Sequence, residues 1–222
     1  RIKEVRENGS LVESLTYDKV GNILTCNRPQ AGQSMTYVYD AANQIQTRTT
    51  TQGQTTYTFD GAGRLAQKAG PEGTYKYYYG EKNRLARVEL PGGQSVEYEY
   101  DAEGRLVQRS KGTEQTDYLI DREHVYADYE SDVQAKLYHR GTEIDELVGA
   151  TPKDQDTQYY HQDHLMSVRT ATGRFGDVEG QRKYWAYGET RSDTGTPGVS
   201  TRSGYAGRER DSDTGLIYNR AR

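Results

Sequence analysis

Apolar and polar residues alternate along much of this 222-residue chain, and the alternation recurs about every 20 residues. Six segments align on an anchor position that carries Asp in five cases and Gly in one, with spacings of 22, 20, 20, 21 and 20 residues. The anchors are Asp18, Asp40, Asp60, Gly80, Asp101 and Asp121. Self-similarity at such a period is the signature of a repeat architecture. The pattern therefore predicts an array of similar units.

Aromatic residues usually precede each anchor by one and by three positions. The residues one position before are Tyr17, Tyr39, Phe59, Tyr79, Tyr100 and Ile120, and those three before are Leu15, Tyr37, Tyr57, Tyr77, Tyr98 and Tyr118. Successive side chains of a strand point to opposite faces, so residues two apart share a face. Each unit is therefore predicted to contain a strand with one aromatic face.

The residues after each anchor predict a turn and a returning strand. Three positions on stand Gly21, Asn43, Gly63, Asn83 and Gly104, with His124 breaking the rule in the sixth unit. Gly and Asn adopt positive φ at low cost, and an Asp carboxylate accepts backbone N–H groups within a turn. Five positions on stand Ile23, Ile45, Leu65, Leu85, Leu106 and Tyr126, where the returning strand is expected. A second Gly upstream of each anchor predicts a second turn, so a unit holds two strands and two turns.

Composition supports an all-β fold of repeated hairpins. Leu, Ile, Val and Phe make up about 15% of the chain, which is little for an ordinary packed core, whereas there are 20 tyrosines. No stretch combines a 3.6-residue apolar period with a helix cap, so almost no helix is expected. Strands with a tyrosine face and a polar face lack a second layer, and their twist predicts a curved sheet.

Charge and motifs exclude several classes of function. The formal net charge is −4, and no basic stripe favours nucleic acid. No apolar run is long enough to span a membrane, and the N-terminal sequence does not resemble a signal peptide. Cys26 stands alone, which excludes an intrachain disulfide, and no nucleophile motif is present. We therefore expect no cofactor and no membrane span. The single cysteine does not indicate whether the compartment is oxidising or reducing.

Several motifs resemble a known family. YDKVGNI, YDAANQI, FDGAGRL and YDAEGRL are similar to the tyrosine-aspartate (YD) repeats of Rhs proteins, shared with the C subunits of insecticidal Tc toxins and with teneurins. YYHQDHLMSVR (159–169) resembles the signature of the Rhs-associated core region, with Met166 where that pattern usually has Gly. YWAYGE (184–189) and GYAGRERDSDTGLIYNRAR (204–222) continue the resemblance, which favours bacterial Rhs proteins over teneurins.

The resemblance implies a β-ribbon that spirals into a hollow shell around a C-terminal toxin. The expected partners are the rest of the shell, the enclosed toxin and components of a secretion system. The chain would be made in the bacterial cytoplasm and exported as part of a larger polymorphic toxin. It divides into YD hairpins at 1–130, a degraded repeat and loop at 131–158, with the loop at 150–158, and a core region at 159–222.

The core region also resembles an aspartyl autoprotease that cuts the toxin from the shell. In that resemblance one catalytic Asp maps to Asp211, with Asp213 as the neighbouring alternative, and its mate lies in a downstream DPxG motif beyond residue 222. Cleavage by these residues alone is therefore expected to fail, and Asp211 is otherwise a turn residue. Arg202, Arg208 and Arg210 either lower the pKa of this carboxylate by charge pairing or face solvent.

Metal binding receives little support from the sequence. His161, Asp163 and His164 resemble zinc ligands but lack a Cys pair or a second His cluster, so we expect hydrogen-bonded residues of the wall. One Asp per turn is too few for calcium. As an alternative function, exposed tyrosine rows could bind carbohydrate or a receptor on another cell, because aromatic faces suit sugar rings.

Overall fold

The computed structural model describes residues 1–122, 124–196 and 198–219. The chain forms two compact units, Arg1–Gln94 and Ser95–Arg222. The strands of the first unit are β1 (Glu4–Glu7), β2 (Ser10–Tyr17), β3 (Ile23–Arg28), β4 (Gln33–Tyr39), β5 (Ile45–Thr50), β6 (Gly53–Phe59), β7 (Leu65–Gly70), β8 (Gly73–Tyr79) and β9 (Leu85–Glu89). Strands β1 to β9 pair antiparallel in chain order.

The second unit continues the same principle. Its strands are β10 (Ser95–Tyr100), β11 (Leu106–Lys111), β12 (Glu114–Asp121), β13 (His124–Glu130), β14 (Val133–Arg140), β15 (Leu147–Pro152), β16 (Gln158–Gln162), β17 (Val168–Thr172), β18 (Val178–Tyr184), β19 (Thr190–Thr194), β20 (Glu209–Arg210) and β21 (Ile217–Tyr218). Strands β10 to β19 pair in chain order, and β20 with β21 forms a separate hairpin. Within the described residues the helical segments are three 3₁₀ turns of three residues each. The prediction of an all-β array of hairpins is confirmed.

The turns at Asp18, Asp40, Asp60 and Asp101 have the geometry that the residue types predict, since each carboxylate accepts the N–H of the residue four positions on. At Asp60 the carbonyl accepts the N–H of Gly63 at 2.9 Å, and Gly63 has a φ of 77°. Oδ1 of Asp60 accepts the N–H groups of Ala62 and Arg64, each at 2.9 Å. Hydrogen bonds from the Arg64 side chain and backbone hold the pKa of Asp60 below its ordinary value. The carboxylate therefore organises the turn as an ionised acceptor.

Neighbouring turns are joined by the side chain four positions after the anchor. Asn22 Nδ2 donates to Asn43 Oδ1 at 3.0 Å, and Arg64 Nη1 donates to Asn83 Oδ1 at 2.8 Å. Gln44 Nε2 likewise donates to the carbonyl of the next turn at 3.2 Å. These bonds link each turn to the next, and the sequence pattern gave no indication of them.

The sixth unit and the segment at 150–158 differ from expectation. Strand β13 begins at His124, which pairs directly with Asp121. The position three after the anchor therefore lies in a strand, where Gly or Asn is not required. The expected loop at 150–158 is present but shorter: β15 runs to Pro152, β16 starts at Gln158, and residues 153–157 form the connection between the two strands. The polar Gln158 is buried because its side chain binds main chain, as described below.

The anchor turn also recurs where the repeat was not recognised. Asp163 accepts the N–H groups of Leu165 and Ser167 through Oδ1, at 2.9 and 3.0 Å, and its carbonyl accepts the N–H of Met166. Met166 occupies the left-handed position with a φ of 60°. Asp163 is therefore a turn residue, and the repeat extends into the core region.

The turns at the other end of the first unit depend on glycine. Gly73 has a φ of 104°, and a Cβ there would lie 2.6 Å from Cβ of Pro91. Gly93, at the same place in a later repeat, also has a positive φ, of 89°, but a Cβ would meet nothing within 4 Å. The two positions separate backbone strain from steric contact with the neighbouring turn.

Gly73→Ala is expected to lower the free energy of unfolding by about 2–3 kcal/mol, because it adds a collision to an unfavourable φ. Gly93→Ala, the matched control, should lower it by about 1–2 kcal/mol, since it adds only the unfavourable φ. Urea unfolding followed by circular dichroism measures both. Equal losses would show that the contact with Pro91 does not affect the free energy of unfolding.

Candidate functional site

The tyrosines of the repeat lie on one side of each unit's sheet, which we call the tyrosine face. Tyr77, Tyr98 and Tyr118 are buried, whereas the row tyrosines Tyr17, Tyr37, Tyr39, Tyr57, Tyr79 and Tyr100 are half-buried. In the second unit Tyr138, Tyr160 and Tyr184 extend the same face. Burial raises the pKa of Tyr118 to about 12, so its ring stays neutral at physiological pH. The face combines apolar rings with hydroxyl groups that need partners.

The C-terminal segment, residues 198–219, lies on the tyrosine face of the second unit. Val199 joins the hydrophobic cluster formed by Tyr118, Tyr138, Tyr160 and aliphatic residues of the sheet. A Cβ on Gly180 would lie 2.4 Å from the carbonyl carbon of Gly198. The backbone of the segment therefore sits directly against the sheet, at a place where the sheet has no side chain.

Side chains of the sheet bind the backbone groups of residues 198–200. Gln158 donates from Nε2 to the carbonyl of Gly198 and accepts the N–H of Ser200, both at 2.8 Å. Tyr160 donates its hydroxyl to the carbonyl of Ser200 at 2.9 Å, and Arg182 donates to the carbonyl of Val199 at 2.9 Å. These contacts are made to groups that every residue carries, so they depend little on the side chains of the segment.

Asp211 is anchored to the wall by side chains from β10 and β11. Tyr98 donates its hydroxyl to Oδ2 of Asp211 at 3.0 Å, and Arg109 Nε donates to the same oxygen at 2.6 Å. Oδ1 accepts the N–H groups of Asp213 and Thr214 at 2.9 and 3.0 Å. Burial of Asp211 opposes ionisation, but the hydrogen bonds from Arg109 and Thr214 outweigh it and lower the pKa. Asp211 is thus both a turn residue and an ionised carboxylate.

Asp213 shares the cations of this cluster. It pairs with Arg109 through a short contact and with Lys111 Nζ at 2.5 Å. The hydrogen bond from Lys111 is the main cause of its lowered pKa. The two carboxylates therefore face a guanidinium and an ammonium group. This arrangement can accept a proton but does not present a carboxylic acid at neutral pH.

A second ionic cluster centres on Arg202. Its guanidinium binds Asp128 Oδ2 at 2.9 Å and Glu209 Oε2 at 3.3 Å, and it stacks on the ring of Tyr118 at 4.4 Å from the centroid. Tyr138 donates its hydroxyl to the same Asp128 oxygen at 2.7 Å. Removing one partner would leave buried charge, which typically costs about 3–5 kcal/mol. Arg202 therefore fastens the segment far from Asp211.

The expectation that Arg202, Arg208 and Arg210 act on Asp211 or face solvent holds for Arg210, which is exposed, but not for Arg202 and Arg208, which are half-buried and pair with other carboxylates. Arg202 binds Asp128 and Glu209, Arg208 pairs with Asp145 at 3.4 Å, and Arg210 donates to Thr190 at 3.4 Å. The cations at Asp211 come instead from β11, about 100 positions earlier in the chain.

The remaining candidates have ordinary polar contacts. His161 Nε2 lies 3.0 Å from Thr172 Oγ1, and the residues described by the structure contain no group of three or more His, Cys, Asp or Glu that could hold a metal ion. The Cys26 thiol donates to Glu13 at 3.2 Å, and burial, aided by Glu13, raises its pKa to about 12. In the described parts of the chain no helix is of the length and apolarity that a bilayer crossing requires.

Asp211→Asn is expected to lower the free energy of unfolding at pH 7 by about 2 kcal/mol, because it replaces a charge-assisted acceptor. The lowered folded-state pKa means that Asp211 stabilises fully above its unfolded pKa of about 4 and loses this effect as the pH falls through the folded value. The difference between variant and parent should therefore shrink below about pH 4. Urea unfolding at several pH values tests this.

Asp154→Asn, at an exposed position, is the matched control and should be neutral throughout. A loss for Asp211→Asn that stayed constant down to about pH 2 would contradict the role of its charge.

Comparisons with known proteins agree with the geometry. A family model described as Teneurin YD-shell matches residues 1–222. The chain is also similar to solved structures of the Photorhabdus luminescens Tc holotoxin pore (15% identity, 96% of this chain and 15% of that chain, TM-score 0.50). The chain is likewise similar to the crystal structure of TcdB2-TccC3 (16% identity, 96% of this chain and 16% of that chain, TM-score 0.51). A third is TcdB2-TccC3 without its hypervariable C-terminal region (15% identity, 97% and 15% coverage, TM-score 0.52).

These structural likenesses, at such low identity, concern the fold. The chain spans about 15% of the length of the chains that it matches. No curated protein matches the chain. The family model nevertheless extends over every residue, and the structure has the tyrosine rows and anchor turns that the YD motifs predicted. The chain therefore belongs to the teneurin YD-shell family.

Proposed function

We propose that this chain is a wall segment of an Rhs-type shell that encloses a C-terminal toxin polypeptide. The observation that carries the proposal is the C-terminal segment lying on the tyrosine face of the second unit. This face already holds one stretch of extended chain by its backbone, and the same chemistry suits another polypeptide. The partners of the wall are then the rest of the shell and the enclosed polypeptide.

Membership of the YD-shell family supports a structural role. The similar structures bear the names of a Tc holotoxin and of TcdB2-TccC3, which makes a toxin the natural cargo to propose. Export through a secretion system and a bacterial origin are parts of the same proposal, which rest on the Rhs-type motifs at 159–169 and 204–222. The proposed division at 130 and 158 also rests on those motifs.

The alternative, a carbohydrate- or receptor-binding module, receives less support. It requires row tyrosines that are open to a sugar ring. In the second unit Tyr98, Tyr118, Tyr138 and Tyr160 are all at most 8% exposed, and the C-terminal segment contacts them. Saturable, specific binding on a glycan array would favour the alternative.

Enclosure predicts protection from protease in the natural full-length protein. The polypeptide that follows residue 222 should resist thermolysin at least about tenfold longer than the same polypeptide made alone, because opening the wall requires unfolding. Protection should disappear at the urea concentration at which residues 1–222 alone unfold, as followed by the fluorescence of Trp185. Cleavage at the rate of the isolated polypeptide would refute enclosure.

Asp211 is further proposed as one carboxylate of the autoprotease that the core region resembles. Because its pKa is lowered, Asp211 is suited to act as the proton acceptor, and a second, protonated carboxyl group must come from elsewhere. Lys111 and Arg109 would keep Asp213 ionised as well, so the two cannot form the acid-base pair between them.

In the full-length protein Asp211→Asn is expected to slow self-cleavage about 100-fold or more, as loss of a general base does. Asp213→Asn is the matched control, with cleavage largely retained, because Asp211 keeps its bonds to Tyr98 and Arg109. Gel electrophoresis over time measures both. Unchanged cleavage in Asp211→Asn would remove this residue from the reaction and leave the shell proposal untouched.

A further inference from the structure

Asp211 begins a turn similar to the anchor turns, but one of its hydrogen bonds has a different source. In two anchor turns the arginine four positions after the Asp donates from Nε to Oδ2 of that Asp, Arg64 at 2.7 Å and Arg105 at 2.6 Å. Four positions after Asp211 stands Gly215, which has no side chain. This turn therefore does not supply the side-chain donor that the two anchor turns contain.

The sheet supplies that donor instead. Arg109 Nε donates to Oδ2 of Asp211 at 2.6 Å, and the Tyr98 hydroxyl donates to the same oxygen at 3.0 Å. Tyr98 and Arg109 lie directly opposite each other in β10 and β11, so the strand pairing fixes the distance between the two donors. Oδ1 accepts the N–H groups of Asp213 and Thr214 within the turn. One oxygen is thus held by the turn and the other by the sheet.

The repeat itself does not require this pair of donors. In the preceding repeat the tyrosine at the same place is Tyr77, and it lies opposite Val88, which carries no charge. A repeat therefore forms without a cation at the position of Arg109. The contact with Asp211 explains why a guanidinium stands there in β11.

The titratable groups around Asp211 come from two strands and from its own turn. They are Tyr98 of β10, Arg109 and Lys111 of β11, and Asp213. Arg109 and Lys111 both bind Asp213, so their charge offsets that of the second carboxylate. Burial raises the pKa of Tyr98, whose hydroxyl therefore stays a donor at neutral pH. Arg109 and Tyr98 are then the side chains that set how readily Asp211 takes up a proton.

The Tyr98 hydroxyl has a second partner within reach. It lies 3.2 Å from Oγ1 of Thr214 as well as 3.0 Å from Oδ2 of Asp211. When Oδ2 takes up a proton, Tyr98 can accept the new O–H and turn its own hydrogen to Thr214. Tyr98 can therefore hold the carboxyl group in both of its protonation states.

We propose that Tyr98 and Arg109 are positioning residues for Asp211, so that the cleaving carboxylate is completed only when the hairpin of β20 and β21 lies on β10 and β11. This inference rests on the proposed autoproteolysis and adds its regulation, since the folded sheet is required before the cut. In the reaction the water oxygen bonds to the peptide carbonyl carbon while Oδ2 of Asp211 takes one proton of the water. The carbon–nitrogen bond then breaks, and the leaving amine takes its proton from the second carboxyl group.

The pH dependence of self-cleavage in the natural full-length protein tests this proposal. Cleavage requires ionised Asp211, so its rate falls as the pH drops through the pKa of this carboxyl group. Arg109→Gln removes a positive neighbour and should move this acidic limb to higher pH by about 1–3 units. It should also slow cleavage at pH 7 about tenfold or more, because the carboxylate is held less firmly. Uncut protein extracted in urea is diluted into buffers of graded pH, and the cut is followed by gel electrophoresis.

Three further variants separate positioning from mere attachment of the segment. Tyr98→Phe removes one donor and keeps the ring, so the limb should move in the same direction by a smaller step. Arg109→Lys keeps the charge, so its limb should lie close to that of the parent. Tyr138→Phe is the matched control: it also removes a buried hydroxyl that donates to a carboxylate, that of Asp128, and it should leave the limb at the parent pH. Trp185 fluorescence shows whether each variant is folded, and Tyr98→Phe decides the question if Arg109→Gln is not.

Three results would overturn the inference. The first is an acidic limb that neither Arg109→Gln nor Tyr98→Phe moves, although Asp211→Asn abolishes cleavage; the proposed autoproteolysis would then stand without these positioning residues. The second is an equal shift in Tyr138→Phe, which would make attachment of the segment the common cause. The third is a parent that does not cut itself, or Asp211→Asn that cuts at the parent rate, and this result would remove the proposed role of Asp211 as well.

Discussion

The structure depends on burying tyrosine rings whose hydroxyl groups still need hydrogen-bond partners. Tyr138 donates to Asp128, Tyr160 to the carbonyl of Ser200, and Tyr184 to the carbonyl of Val168, at 2.7 to 3.0 Å. An aliphatic layer would cover the rings but leave the hydroxyl groups unsatisfied, at a cost of about 1–3 kcal/mol each. A polypeptide backbone offers carbonyl acceptors as well as apolar side chains, so it suits this face. The fold and the proposed function follow from this one requirement.

Local structure was predictable because it depends on residues close in sequence. Strands β3, β5, β7, β9 and β11 begin at the apolar residues that the repeat indicated, and the positive φ values fall at the predicted Gly and Asn positions. Met166 shows the limit of this reasoning: the left-handed conformation is present although the residue type does not favour it. There the hydrogen bonds of Asp163 and the flanking strands impose the turn, which a single residue's preference does not reveal.

The candidate site was only half predictable. The motif indicated Asp211, but the repeat indicated Tyr98 only as a row tyrosine and did not single out Arg109 or Lys111, since no sequence pattern connects them with residues about 100 positions later. Gln158 lies in a run of polar residues, which predicts a loop. Its amide in fact binds backbone at both Gly198 and Ser200, so it is buried for the bonds it makes. Polar residues of the tyrosine face are therefore identified by their partners, which require coordinates.

The position of the C-terminal segment also depends on what the sheet lacks. Ala150, Ala171 and Gly180 lie where larger side chains would hold the segment away, and Ala150 and Ala171 are fully buried. Because backbone hydrogen bonds are effective only at about 3 Å, the small residues set the distance at which Gln158, Tyr160 and Arg182 act.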